Sequence, residues 1–453
     1  MAKMGLEIHG YINTKEKLFC SCKAEHGMKN AKPNTNICPI CTGQPGSKPL
    51  LPNSEAITKA IQIALILNCN VNQNLTWQRK HYSWPDLPKG FQNTISGHHS
   101  TPNAEKGNFL GIRIKECHLE EDPAAWNPET GEIDYNRSGS PLIEIVTEPD
   151  FKKSSEVIDW IKQLLATLNY IKAIDKSAGI KADVNISLPE LNGERVEIKN
   201  INSLSSIQKA IEHEIERQKA DTPKIQETRM FDSEKNITKL MRTKEQAEDY
   251  RFISEPDLPA IIIKKSRIEE LKSSLPETPR AKLEKLIKKH KISQEAAEIL
   301  TKKLEIVEFF ESIIEKTNPS IAVRWVTEEL LSVLNYNKKE LEEININPQH
   351  FIELLNLIEN KKITELKAKD ILRTWIKGSS SPKKDSEKFS QISDKGTLDK
   401  IVEQVIDENK KAIEDYKSGE KNALNYLIGQ VMRLSNKRAD FKTAKQLLEK
   451  KLK

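Results

Sequence analysis

Apolar positions change their period along this chain, and the change divides it. Over roughly the first 260 residues, short runs alternate polar and apolar positions, as strands with one buried face do. Such runs are expected around residues 4–9, 111–118, 142–147, 183–188 and 195–199, with Pro, Gly and Asn turns between them. Three helical patterns interrupt them. One follows the Asn53-Ser54 cap through Ile57, Ala60, Ile61, Ala64 and Leu65. The second follows Ser154-Ser155 through Val157, Ile158, Ile161, Leu164 and Leu165, and the third runs from Leu204 through Ile207, Ala210, Ile211 and Ile215. Strands scattered among helices without regular β-α alternation predict an α+β fold rather than a doubly wound parallel sheet. After Thr278-Pro279, a helix-start pair, the spacing turns helical: Leu283, Leu286, Ile287; Phe309, Ile313, Ile314; Leu330, Leu331, Leu334; Phe351, Leu354, Leu355, Ile358. Residues 378–386, rich in Ser, Pro and Lys, read as a linker. A last helical pattern follows through Ile401, Val405, Leu424, Leu427, Val431, Ala444 and Leu448. The expected organisation is an α+β body over 1–278, an all-α domain over 279–377, the linker, and a small all-α tail over 387–453.

The strand pattern carries an anomaly. Strand alternation puts Glu7 and His9 on one face, with Leu6 and Ile8 on the other. Asp183 and Asn185 oppose Val184 and Ile186 in the same way, and Glu144 shares its face with Leu142 and Val146. A further acidic run, His118-Leu119-Glu120-Glu121-Asp122, ends another strand. Taken singly, one such glutamate is better explained by a salt bridge to Arg137, Lys181, Arg195 or Lys199. Acids recurring on several half-buried strands favour a shared divalent cation in a β-rich cleft.

Composition narrows the class. With 37% hydrophobic and 30% charged residues over 453 positions, the chain suits several solvated domains with real cores. A formal net charge of +6 is too small for a polycation. The basic excess is local, late in the chain (Lys437, Arg438, Lys442, Lys445, Lys450, Lys451), where it suits either RNA phosphates or a solvated helix face. No apolar run reaches the roughly 18 residues of a membrane span, and Met1-Ala2-Lys3-Met4 leads directly into a strand, so a cytoplasmic protein is expected. Four of the six cysteines form Cys20-x-Cys22 and Cys38-Pro39-Ile40-Cys41, the spacing of a closed, structural zinc knuckle. Cys69 and Cys117 are expected to be buried as small apolar residues.

The order of several longer motifs resembles the GatB family, the B subunits of aspartyl/glutamyl-tRNA amidotransferases. The matching stretches include Gly5-Leu6-Glu7-Ile8-His9, Lys17-Leu18-Phe19-Cys20, Tyr82 with Pro85-Asp86-Leu87-Pro88-Lys89-Gly90, and His118 to Asp122. They continue with Asp134-Tyr135-Asn136-Arg137, Pro141 to Asp150, Glu197-Ile198-Lys199-Asn200, Glu227-Thr228-Arg229, Tyr250-Arg251-Phe252 and Asn425 to Met432. An uninterrupted run after Pro259 resembles the shorter family type, not the archaeal relative with a synthetase-like insertion. Departures are His81, Ser83-Trp84, Asn93-Thr94, Lys181 in place of an arginine, and Asn436-Lys437-Arg438-Ala439.

That resemblance implies a cradle-like body and a carbon–nitrogen ligase with glutamine as amido donor. ATP would phosphorylate the side-chain carboxylate of Asp-tRNA(Asn) or Glu-tRNA(Gln), and ammonia would then displace phosphate. It implies Mg²⁺ at Glu7, His9, Glu120, Glu144 and Asp183, with Glu121 beside them and His118 orienting or ligating. It implies phosphate contacts from Arg137, Lys199, Arg229 and Arg251, with Arg242 and Lys244 as weaker candidates. There is no Gly-x4-Gly-Lys-Ser/Thr loop to hold the nucleotide. The chain also lacks a glutaminase signature, so ammonia is expected from an amidase partner (GatA), with a small subunit (GatC), along a path lined by Lys80, Tyr82, Asp86 and Lys89. The helical tail is expected to grip misacylated tRNA. Two other functions stay open on the residues alone: a non-catalytic RNA-binding adaptor, and a free-standing carboxylate–amine ligase acting on a small metabolite.

Overall fold

A computed structural model describes residues 2–24, 31–175, 178–201, 203–243, 250–383, 390, 392 and 395–452. Lys244 and residues 384–386 of the expected linker lie outside the described residues. The chain forms two compact units, Met1–Pro276 and Glu277–Lys453.

The first unit is built on strands β1 (Lys3–Tyr11), β2 (Asn70–Val71), β3 (Asn74–Leu75), β4 (Gln78–His81), β5 (Gln92–Thr94), β6 (Ala104–Phe109), β7 (Ile112–Glu121) and β8 (Ala125–Trp126). It continues with β9 (Ile133–Asp134), β10 (Pro141–Thr147), β11 (Ile180–Ser187), β12 (Val196–Ile201), β13 (Glu227–Asp232), β14 (Ile237–Thr243), β15 (Arg251–Ser254) and β16 (Ile261–Ile262). The main sheet runs in the order β14-β13-β12-β11-β1-β10-β7-β5-β4-β15, with β6 and β2 attached beside β7. Its pairings are antiparallel except β12–β13, so the fold is α+β.

Pleating sorts this sheet into two faces. Leu6, Ile8, Ile143, Ile145, Leu119, Cys117, Val184 and Ile198 are all buried in one apolar core. The same core takes in residues of helices α1 (Ser54–Ile66), α2 (Ser154–Tyr170) and α3 (Leu204–Ala220). Two of these helices begin where a side chain can satisfy their free N–H groups. The Asn53 side chain accepts from the backbone of Glu55 and Ala56, and Ser203 accepts from Ser206.

Helices fill the second unit. Thr278 caps Pro279–His290, with Pro279 in the first turn, where its missing N–H costs nothing. Leu398, Val402, Val405, Leu427, Val431, Ala444 and Leu448 form a separate apolar core shared by the last helices, Lys395–Glu408, Lys421–Leu434 and Phe441–Leu452. Among the described residues no helix is long and apolar enough to cross a membrane.

Candidate functional site

The sheet face away from the helices carries the acids, and strand register brings them together. Glu7 stands opposite Asp183, and His9 opposite both Glu144 and Lys181. Glu144 is opposite His118, Leu142 opposite Glu120, and Asn185 opposite Glu197. Adjacent strands β12, β11, β1, β10 and β7 thereby gather side chains from five distant stretches of sequence.

Two clusters result. In the first, donor atoms of His9, Glu120 and Glu144 lie within 4.8 Å of one another; in the second, those of Glu7, Asp183 and Glu197 do. The five residues expected around one Mg²⁺ are therefore distributed over two neighbouring groups, and Glu197 joins them. Glu197 lies two positions before Lys199, so the period-2 rule that selected Glu7 and His9 could have selected it.

The clusters differ in how their charge is balanced. Glu144 Oε2 is 3.4 Å from His9 Nε2 and 3.1 Å from His118 Nε2, while His9 is 3.9 Å from Glu120. Burial disfavours the charged imidazoles, but the Glu144 carboxylate outweighs it and raises His9 to about 9 and His118 to about 10. Burial likewise disfavours the Glu144 carboxylate, but His118 and His9 hold it well below the usual range. Glu120 is pushed up, by burial first and then by Glu144. In the second cluster Lys199 Nζ lies 2.8 Å from both Asp183 and Glu197, and the Asn185 amide donates to Glu7 Oε1 at 3.0 Å. Burial and the Glu144 charge raise the Glu7 carboxyl. Lys199 is raised too, because Asp183 and Glu197 more than offset its burial.

A cavity of about 450 Å³ opens on the first cluster, lined by His9, Glu120 and Asp183 together with Lys80, Tyr82, Asp86, Arg137 and Lys181. Burial lowers the Lys181 ammonium and raises the Asp86 carboxyl. Lys80 Nζ sits 4.8 Å from the Tyr250 ring centroid, and Tyr82 meets that ring edge-on. Tyr11, which the sequence did not single out, also lines the cavity and donates to Asp122 at 2.7 Å. Arg137 lies 3.3 Å from Asp122 and donates to the Pro123 and Ala124 carbonyls at 3.1 Å each.

Other sequence candidates lie elsewhere. Glu121 is ion-paired with Lys89 and accepts from the Asn93 backbone N–H at 2.8 Å. Neither Glu121 nor Lys89 lines the cavity. Arg229 pairs with Glu227 at 2.7 Å and donates to the Thr238 carbonyl at 3.0 Å. It also lies 3.7 Å from the buried Glu214 of α3, which puts it on the helix side of the sheet. Arg251 is exposed on the edge strand β15.

The four knuckle cysteines cluster with sulfur atoms inside 4.8 Å, and Cys41 Sγ accepts from the Cys38 backbone N–H at 3.2 Å. The Cys20 hydrogen bond, helped by the Lys17 ammonium, pulls the Cys41 thiol down to about 4. Lys17 is almost fully buried and donates to the Asn36 and Tyr135 carbonyls, with Cys41 Sγ 3.6 Å away. Cys69 and Cys117 are free and buried.

The chain thus combines a largely antiparallel sheet, an acid- and imidazole-lined cleft on one face, a cluster of four cysteines and a separate helical unit. The sequence profile of the GatB/GatE catalytic domain matches residues 2–269, and that of the GatB domain matches residues 308–452. The B subunit of the aspartyl/glutamyl-tRNA(Asn/Gln) amidotransferase of Methanocaldococcus jannaschii is 43% identical over 467 aligned positions, covering 99% of this chain and 98% of its own. The proteins of that description from Methanopyrus kandleri and Methanothermobacter thermautotrophicus are 42% and 41% identical, again across 99% of this chain and 98% and 100% of theirs. The chain belongs to the GatB/GatE family of amidotransferase subunits.

Proposed function

We propose that this chain activates the side-chain carboxylate of Asp-tRNA(Asn), Glu-tRNA(Gln) or both, and amidates it within a complex that includes an amidase subunit (GatA) and a small subunit (GatC). The observation that carries the reading is the cluster of His9, Glu120 and Glu144, two of which, His9 and Glu120, line a cavity shared with Lys80, Arg137 and Lys181. Five elements deliver chemistry to one polar face, which separate structural salt bridges would not require.

A carboxylate resists nucleophiles because it is anionic and has no leaving group. Its oxygen attacks the γ-phosphorus of ATP, ADP leaves, and the resulting acyl phosphate is neutral at the reacting carbon. Ammonia then adds to that carbon, phosphate departs with the C–O bonding pair, and the nitrogen loses a proton to give the amide. The two carboxylates suit a hard divalent cation, which takes oxygen ligands, and the imidazole adds a borderline nitrogen donor beside them. Bound Mg²⁺ would neutralise the anionic oxygens that must approach one another. Its ligands here would be His9, Glu120 and Glu144. The Glu7, Asp183 and Glu197 group already holds the Lys199 ammonium. His9, being protonated in the metal-free cluster, has to release its proton before it can ligate. Arg137 and Lys181, which line the cavity, would orient anionic groups there, and Lys80, Tyr82 and Asp86, which line it too, would pass ammonia to the reacting carbon. At the knuckle, four thiolates suit a closed zinc site that ties down the segment beside β1. We place the reaction in the cytoplasm, where misacylated tRNA is used.

The test is Glu144→Gln in the complex co-expressed with its amidase partner. Transfer of the ATP γ-phosphate to misacylated tRNA is expected to fall by about 100-fold or more, while tRNA affinity is unchanged. Retained phosphoryl transfer would refute this function.

A further inference from the structure

Glu144 has two imidazole neighbours of different standing. His9 is 21% exposed and lines the cavity, whereas His118 is 4% exposed and lies behind it. Both ring nitrogens of His118 face carboxylates. Nε2 is 3.1 Å from Glu144 Oε2, and Nδ1 is 3.2 Å from Glu116 Oε1. Ser96 Oγ in turn donates to Glu116 Oε1 at 2.5 Å. A ring whose two nitrogens each face a carboxylate, and which does not line the cavity, is placed to position Glu144 rather than to enter a cation's shell.

Glu116 and His118 are alternate residues of β7 and project from the same face, while Ser96 follows β5. The Glu116 carboxylate is held below its usual range, against its burial, by the His118 imidazole beside it and by the Ser96 hydroxyl.

The geometry points to Ser96, Glu116 and His118 as a chain of positioning residues that fixes the Glu144 carboxylate towards the cation site. A glutamate alone is free to rotate its carboxyl group. Here the His118 ring, which lies outside the cavity lining, approaches Oε2 at 3.1 Å and holds the group from behind. Glu116 acts through His118 by fixing its ring and balancing its charge. Outer partners of this kind typically change metal affinity or activity by about 10- to 100-fold when removed.

This inference rests on Glu144 being a cation ligand. The experiment therefore includes Glu144→Gln. Mn²⁺ binding is measured by electron paramagnetic resonance and calorimetry on the full chain in its complex, for wild type, Glu144→Gln, Glu116→Ala, Glu116→Gln and Ser96→Ala. Glu144→Gln is expected to remove a tight site. Glu116→Ala should weaken that site by about tenfold or more. Glu116→Gln, which keeps an acceptor for the ring but not the charge, should fall between it and wild type, and Ser96→Ala should act weakly in the same direction. In turnover assays the same series should lower kcat at saturating ATP with little change in KM. Should Glu116→Ala fail to fold, Glu116→Gln and Ser96→Ala decide the matter. Wild-type Mn²⁺ affinity in both, with Glu144→Gln impaired, overturns the positioning chain alone. Wild-type affinity in Glu144→Gln overturns the cation site itself, and the positioning chain with it.

Discussion

His118 shows how much a single side chain depends on its cross-strand partners. The sequence marks it as an orienting or ligating group, and period 2 places it on the acid face. The positioning role inferred above rests on its register opposite Glu144 and its ion pair with Glu116, and neither can be read from one strand alone. The sign of its pH dependence follows from its environment. In the metal-free chain His118 is raised from its ordinary 6.5 to about 10, burial opposing and Glu144 overriding. Its contribution to stability is thus complete below about 6.5 and is lost as pH rises through about 10. Glu144, held low by the same pair, contributes above its ordinary 4.5 and loses that contribution on acidification. Thermal denaturation of chelated wild type and His118→Gln should therefore show a gap in Tm at pH 7 that narrows steadily towards pH 10. A constant gap would mean that His118 contributes packing alone.

Helices α1 and α3 start at capping side chains, whereas α2 begins after Lys153 with no side-chain cap and takes Ser154 and Ser155 into its first turn, so its apolar spacing and packing set it. Short strands were less legible. Gln78-Arg79-Lys80-His81 and Gln92-Asn93-Thr94 have no apolar alternation, and pairing with each other and with their neighbours in the sheet makes them strands. Arg229 is another case. Its strand β13 pairs in parallel with β12, and its guanidinium joins Glu227, Glu214 and Thr238, a network that fastens α3 to the β13–β14 hairpin. Gly429 sits in the helix Lys421–Leu434, where an added Cβ would meet nothing within 4 Å. No packing among the described residues requires a glycine there. Gly429→Ala is expected to stabilise the helical unit by about 0.8 kcal/mol, read as a shift in its chemical denaturation midpoint. If the mutant also loses tRNA affinity, the open face is where an RNA backbone comes close.

Across the whole molecule, the chain divides into two compact units between Pro276 and Glu277, just before the helix Pro279–His290. Each acid was recognisable on its own strand. What no single stretch discloses is the order β12-β11-β1-β10-β7, which makes neighbours of residues as far apart as Glu7 and Glu197. That order puts β1 at the junction of both acid clusters, and its pleat separates two selective pressures on adjacent residues. Leu6 and Ile8 belong to the core, while Glu7 and His9 belong to the two acid clusters. A saturation library across β1, scored in parallel for protein abundance and for growth dependent on tRNA amidation, should alternate residue by residue. Substitutions at 6 and 8 would deplete abundance; those at 7 and 9 would leave it nearly intact and abolish growth. Inheritance along this strand would then proceed on two independent clocks, one kept by solubility and one by the fidelity of the genetic code.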